Sequence, residues 1–204
     1  MLNRRINLKT TITTLKKGSK KVIIAGVVHV GTTEYYEKVK SILEGVVIYE
    51  GIKKWEFPPI YTLLAGLLNL SMQSSVLPIQ ENWVHADISG AILKQIHKTE
   101  ELKKTINDAT EKLSGLPEES RTIVGRIVSS LVGPSIFLKK FSMMLSPVVY
   151  VRNYLPIIRT LQLLYDDNVD AVSILFGDGH RYHITKTLKK CGFRVIKKEK
   201  IKAF

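Results

Sequence analysis

The sequence predicts an α/β fold, with a mostly parallel sheet built from both termini and a helical insertion forming a cap. Two observations carry this expectation. Strand-helix-strand patterns stand near each end of the 204-residue chain, and the stretch between them lacks strand alternation and is rich in helix formers. Parallel neighbours need a crossover such as a helix, so the two terminal units are expected to share one sheet. The length and the 45% hydrophobic content suit a single domain, 1–204, with 57–147 as the inserted cap.

Thr10 to Leu15 alternates threonine with apolar residues, and the turn Lys16-Lys17-Gly18-Ser19-Lys20 leads into the apolar run Val22 to Val28, which reads as a hairpin entering a buried strand. Thr32 to Leu43 has helix character, with Thr32 or Thr33 able to cap and Glu34 and Glu37 near the positive helix end. Val46 to Tyr49 reads as a second buried strand. Phe57 to Gln80 is 24 residues without a formal charge. Pro58, Pro59, Asn69, Gln73, Ser74, Ser75 and Pro78 leave about fifteen plausible spanning residues, short of the roughly 20 a bilayer needs. A buried or interfacial helix is expected there, with a partner or membrane-surface contact and a true span as the other readings.

Trp83-Val84-His85-Ala86-Asp87 is expected to begin the helical region, which Leu116-Pro117-Glu118-Glu119 and Gly133-Pro134 punctuate. Asn153 to Tyr165 reads as a helix with Pro156 in its first turn. Ala171 to Phe176 then reads as a strand, Arg181 to Lys190 as a helix, and Phe193 to Lys198 as a final strand introduced by Gly192. No internal repeat is evident.

The chain has 31 Lys+Arg and 18 Asp+Glu, a formal net charge of +13, unevenly placed. Residues 1 to 21 hold seven basic and no acidic side chains, residues 181 to 204 hold nine basic and one acidic, and everything between nets −2. A nucleic-acid partner is not expected, because the basic residues flank the centre and no RNA or DNA motif is present. Lysines on sheet edges discourage edge-to-edge pairing and at most favour an anionic membrane surface. Cys191 is the single cysteine, so no internal disulfide forms. Arg4, Arg5 and Lys9 precede no apolar stretch of the secretory kind, and a cytoplasmic protein, with membrane association left open, is expected.

A short pattern occurs twice at predicted strand ends: Gly26-Val27-Val28-His29 and Gly177-Asp178-Gly179-His180. A third strand ends in Tyr49-Glu50-Gly51. Ligands of open parallel sheets collect beyond the carboxyl ends of strands, so His29, Glu50 and His180 can face one volume. Two imidazoles and a carboxylate suit a catalytic divalent metal with a position left for water. The other reading has each histidine capping its helix or filling a polar hole.

These segments, together with Arg152-Asn153, resemble the TraB/PrgY/GumN family and the related Tiki proteins, over roughly residues 20 to 52 and 150 to 200. The family hallmark is a pair of Gly-x-x-His motifs, a Glu after the second strand and an Arg before the last strand-helix-strand unit. The resemblance implies a hydrolase-like site of His29, Glu50, Arg152 and His180. In it the histidines bind metal (Mn, Co or Zn) or serve as base, Glu50 is ligand or acid/base, and Arg152 steadies an anionic group or developing oxyanion. Family members often have an acidic residue near the position of Asp87, which adds it as a candidate metal ligand. Relatives commonly carry glycine where this chain has His183; on a helix His183 shares a face with His180, and it is either an added ligand or clamp or simply exposed.

His85 is expected to be structural or exposed, His97 is assigned no role, Cys191 lacks the helix N-terminus that activates thiols, and Asp178 is expected to cap the helix carrying His180. The resulting expectation is a metal-assisted or histidine-based hydrolase acting on a peptide or small molecule. The alternative is a non-catalytic regulatory or interaction module on the same fold, of the pheromone-shutdown kind. A homodimer through the Leu and Met residues around 63 to 72 and 141 to 145 is a further expectation.

Overall fold

The structure is a computed structural model that describes residues 8–51, 59–87 and 146–204, with 59–60, 63–64 and 146–151 described by backbone alone. In chain order the elements are β1 (Lys9–Lys17), β2 (Lys20–Val27), β3 (Val30–Gly31), α1 (Thr33–Lys40), β4 (Val46–Tyr49), α2 (Pro59–Leu68), β5 (Ser71–Met72), α3 (Gln73–Val76), β6 (Val84–His85), α4 (Ser146–Tyr165), β7 (Ala171–Gly177), α5 (Asp178–Lys190) and β8 (Arg194–Lys202).

One six-stranded mixed sheet runs in the order β6-β4-β7-β2-β1-β8. The pairs β6/β4, β4/β7 and β7/β2 are parallel, and β2/β1 and β1/β8 are antiparallel. The protein is therefore α/β with a mostly parallel sheet, as the alternating strand and helix patterns predict. Each terminal strand-helix-strand unit is interleaved with the other. β7 lies between β2 and β4, while the β1–β2 hairpin separates β7 from β8.

Strand alternation divides the core in two. Val22, Ile24, Ile48, Val172, Ile174 and Phe176 pack on one face with Ile157 and Leu164 of α4 and Ile184 and Leu188 of α5. Ile23, Ala25, Val27, Val47 and Leu175 pack on the other with Tyr35, Tyr36 and Val39 of α1. Central strands buried on both faces read as continuous apolar runs, which is why Val22–Val27 and Ala171–Phe176 lack polar alternation. The helices after β2 and β7 thus leave to opposite faces, and the carboxyl ends of these neighbouring strands form the crevice where such sheets bind ligands.

Thr32 caps α1 by accepting the Tyr35 backbone N–H at 3.2 Å. The structure departs from the expected elements in three places. Val84–His85 is a strand paired with β4, because its residues continue the parallel ladder opposite Ile48 and Tyr49 before any helix can start. α4 begins at Ser146, so Pro156 lies in its interior; lacking an N–H, it leaves the Arg152 carbonyl without its usual i+4 donor. α5 begins at Asp178, which puts His180 in its first turn.

The uncharged stretch is broken at Ser71–Met72, where β5 pairs with β3. Among the described residues no helix is long and apolar enough to cross a membrane. Of the expected cap over 57–147, residues 88–145 lie outside the described residues. So do His97 and the 141–145 half of the expected dimer surface, while Leu67, Leu68, Leu70 and Met72 of the other half are half-buried.

Candidate functional site

Four adjacent parallel strands end on the same side, and their exits carry the residues singled out by sequence. β6 leads to Asp87, β4 to Glu50, β7 to Gly177 and His180, and β2 to His29. The registers Val27 opposite Gly177, Tyr49 opposite Leu175 and Tyr49 opposite His85 bring these exits level. Backbone bonds continue past the strands, from Glu50 N–H to Leu175 O at 2.9 Å and from Ala86 N–H to Tyr49 O at 3.3 Å.

Glu50 is the hub. Its Oε2 accepts the Gly177 backbone N–H, and its Oε1 accepts Arg152 Nη2 at 2.5 Å and lies 3.4 Å from His180 Nε2. Arg152, from α4, also holds Asp87 at two points, Nε to Oδ1 at 2.8 Å and Nη2 to Oδ2 at 2.7 Å. Planar guanidinium and carboxylate match in this two-point geometry, which fixes orientation as well as charge. Arg152 Nη1 takes part in none of these bonds. Burial works to raise the Glu50 carboxyl pKa, but the bond and charge of His180, the charge of Arg152 and the Gly177 N–H outweigh it and hold the pKa far below the usual carboxylate range.

Both histidines are anchored through Nδ1 to an amide oxygen. His180 Nδ1 is 2.8 Å from Asn153 Oδ1, and His29 Nδ1 is 3.3 Å from Gln73 Oε1. As oriented, these oxygens only accept, so each Nδ1 is the donor, while the His180 Nε2 faces the Glu50 carboxylate and donates toward it. Gln73 grips His29 a second time through its backbone N–H to His29 O at 2.9 Å. The His29 ring also meets Tyr61 of α2 edge-on, centroids 4.9 Å apart. Burial lowers the His29 pKa from 6.5; the charge of Glu50 and the Gln73 bond oppose this, and the charges of Arg152 and His180 add to it. The same Glu50 charge, with burial as the larger cause, raises the Tyr61 pKa.

Two motif glycines lie at close approaches, the one at Gly26 being the tighter. A Cβ on Gly26 would run into the Asp178 carboxylate, and one on Gly177 would stand 3.1 Å from Glu50 Oε2. Asp178 does not cap α5 by its side chain; it pairs with Arg181 Nε at 2.8 Å, because the helix already starts at this residue. His85 bonds Gly51 O and meets the Tyr49 ring at 5.4 Å, bracing β6 against β4. His183 meets Tyr154 of α4 at 5.4 Å, and burial with the charges of Lys186, Lys190 and His180 lowers its pKa. Cys191 ends α5 half-buried, with its carbonyl accepting Lys17 Nζ at 2.8 Å.

The fold therefore brings His29, Glu50, Asp87, Arg152 and His180 to one end of the sheet. In the arrangement observed they do not fit a three-ligand metal centre. Both Asp87 oxygens and one Glu50 oxygen serve the guanidinium, the other Glu50 oxygen serves a backbone N–H, and among the described residues no group of three His, Cys, Asp or Glu is placed to hold a metal ion. Sequence reasoning gave no role to Gln73, Asn153 or Tyr61. Asn153 had a signal in its place beside Arg152; Gln73 and Tyr61, within an uncharged apolar stretch, had none. The chain matches no family profile, no curated protein and no solved structure.

Proposed function

We propose that the strand-end site is hydrolytic, of the kind the resemblance to the TraB/Tiki proteins implies, and that it works by histidine acid/base chemistry on a peptide or small-molecule substrate. The observation that carries the reading is the pair of amide-anchored histidines at the strand ends that also carry the Glu50–Arg152 pair.

His29 is the base. A histidine that burial keeps neutral near pH 7 accepts a proton from water, and Gln73 fixes the orientation of its ring through Nδ1. Arg152, locked in place by Asp87 and Glu50, offers its Nη1 hydrogens to the oxygen on which charge develops. His180, whose Nε2 N–H points at Glu50 Oε1 3.4 Å away, gives that proton to the leaving group, and the proton His29 took from water restores the balance when product departs. No step is routed through Mn, Co or Zn, since the carboxylate oxygens a metal needs are engaged by Arg152 and Gly177.

The second reading, a regulatory or interaction module that does not turn over substrate, is favoured by one observation: every oxygen of Glu50 and Asp87 is already engaged within the protein. Fluorogenic peptides and nitrophenyl esters, screened with the wild type and with His29→Ala, separate the two. A hydrolase loses about 10²–10⁴-fold in rate on that substitution while keeping its melting temperature. Turnover that survives it defeats the proposal, and no turnover by the wild type supports the module.

A further inference from the structure

The surplus positive charge has no part in the strand-end site. It lies on the opposite flank of the sheet, on β1 and the edge strand β8, where Lys9, Lys16, Lys17, Arg194, Lys197, Lys198, Lys200 and Lys202 are all exposed. Lysines on β8 alone are accounted for by edge protection. The pairing between the two strands is not. Lys16 stands directly opposite Arg194 and Lys9 opposite Lys202, and like charges facing across a ladder repel. Among the described residues Lys9, Lys16, Arg194, Lys198, Lys200 and Lys202 form no ion pair, and the one carboxylate on the two strands, Glu199, is engaged by Lys38 and Lys197.

A β-bulge sits within this patch. Val195 pairs with Leu15 and Lys197 with Thr14, which leaves Ile196 as the extra residue, its side chain 54% exposed. Ile196 and Arg194 border an open cleft of about 370 Å³ with Lys16, Lys17, Gly18 and Gly192.

We propose that this β1–β8 edge docks on an anionic lipid bilayer, with the lysines at headgroup level and Ile196 entering the interface. Charge complementarity calls for an anionic partner, and three features favour a bilayer over a nucleic acid. Seven of the eight cations are lysines, point charges suited to a fluid field of headgroups, whereas nucleic-acid recognition draws on the planar guanidinium of arginine. The nearest aromatic ring, Phe193, is buried and covered by Lys17 at 5.9 Å, so it offers no platform for a base. The exposed apolar residue within the basic field is an aliphatic one, which gains by entering lipid.

The test is sedimentation of the full chain with vesicles of phosphatidylcholine alone and of phosphatidylcholine with phosphatidylserine. Binding is expected only to the serine-containing vesicles, falling as salt rises. Each cation removed lowers partitioning about fivefold, so the triple variant Arg194→Glu, Lys198→Glu, Lys200→Glu loses at least roughly a hundredfold. Ile196→Ser, a charge-neutral single change at an exposed position, weakens vesicle binding while leaving retention on heparin unchanged, and it decides the matter if the triple variant does not fold. Equal binding to both vesicle types, which would place the contact elsewhere on the chain, overturns the proposal. So does unaltered binding by Ile196→Ser or by a folded triple variant. Binding to heparin or single-stranded RNA without binding to vesicles also overturns it, in favour of a nucleic acid.

Discussion

Arg152 and Asp87, 65 positions apart, form a two-point ion pair of 2.8 and 2.7 Å at the mouth of the sheet, with the Asp87 side chain fully buried. Removing one partner of a buried pair leaves an uncompensated charge, which costs more than the pair itself contributes. Arg152→Ala is expected to destabilise the protein by about 3–5 kcal/mol, and adding Asp87→Ala is expected to recover part of that loss. Urea denaturation of the two single variants and the double variant measures the coupling. Strictly additive losses would mean that the pair contributes nothing specific.

Glu50 sets an acid limit to stability. Its folded pKa lies far below the unfolded carboxylate value of 4.5, so the unfolded chain binds the proton more readily. Stability from this group is full above pH 4.5 and is lost as the pH falls from there toward the folded value. Glu50→Gln is expected to be less stable than wild type at pH 7 and to show a shallower loss below pH 4.5. Parallel stability curves for the two proteins in that window would contradict the assignment.

Burial lowers the His29 pKa, and Gln73 opposes that shift by bonding the ring. Nitrogen-detected NMR is expected to show a His29 midpoint below 6.5 with the proton on Nδ1 at neutral pH. In Gln73→Leu the midpoint moves further down and the tautomers mix. If Gln73 positions the ring for proton transfer, the variant loses rate with an altered pH profile; a structural role alone leaves the profile in place.

The strands and the site differ in how much the sequence revealed. Val22 to Val27 and Ala171 to Phe176 were readable because two-sided burial demands unbroken apolar runs, and the two Gly-x-x-His segments stood out because both follow such runs. Interleaving of the terminal units was not readable, since local patterns do not encode which strand lies beside which. β6 has only two residues and depends on pairing with β4 rather than on its own propensity. Gln73 and Asn153 act through single bonds to ring nitrogens, a relation created by tertiary contact and marked by no spacing. Asp87, by contrast, was singled out on resemblance, and its place at the end of β6 gives it a physical reason.

The tight approach behind Gly26 makes a further expectation. Gly26→Ala places a methyl against the Asp178 carboxylate, with the backbone Cα of that residue 3.1 Å away, so the carboxylate must turn from its bond to Arg181 and the start of α5 must give by a few tenths of an ångström. A loss of about 1–3 kcal/mol is expected, as for overpacking elsewhere. Gly179→Ala, whose Cβ meets nothing within 4 Å, is the matched control and is expected to be nearly neutral. Equal thermal shifts for the two variants would remove steric closeness as the reason for glycine at position 26.

Arg152 occupies the place of a cation between two carboxylates and a histidine, and this predicts how the protein responds to metals. In the wild type the guanidinium neutralises Glu50 and Asp87, so Zn²⁺, Mn²⁺ or Co²⁺ must displace it to gain their oxygens. Arg152→Met keeps much of the side-chain volume and removes the charge, leaving the Glu50 and Asp87 carboxylates without their cation and the His180 ring beside Glu50. Calorimetric titration is expected to show divalent binding tighter in the variant than in the wild type by roughly tenfold or more. Because the ion binds only the folded state, added Zn²⁺ is also expected to restore part of the melting temperature the variant loses. Treating the wild type with a chelator is expected to leave its melting temperature unchanged. Stoichiometric binding by the wild type, with no gain in Arg152→Met, would show that the carboxylates release Arg152 for a metal, and the histidine-based mechanism would yield to a metal-assisted one.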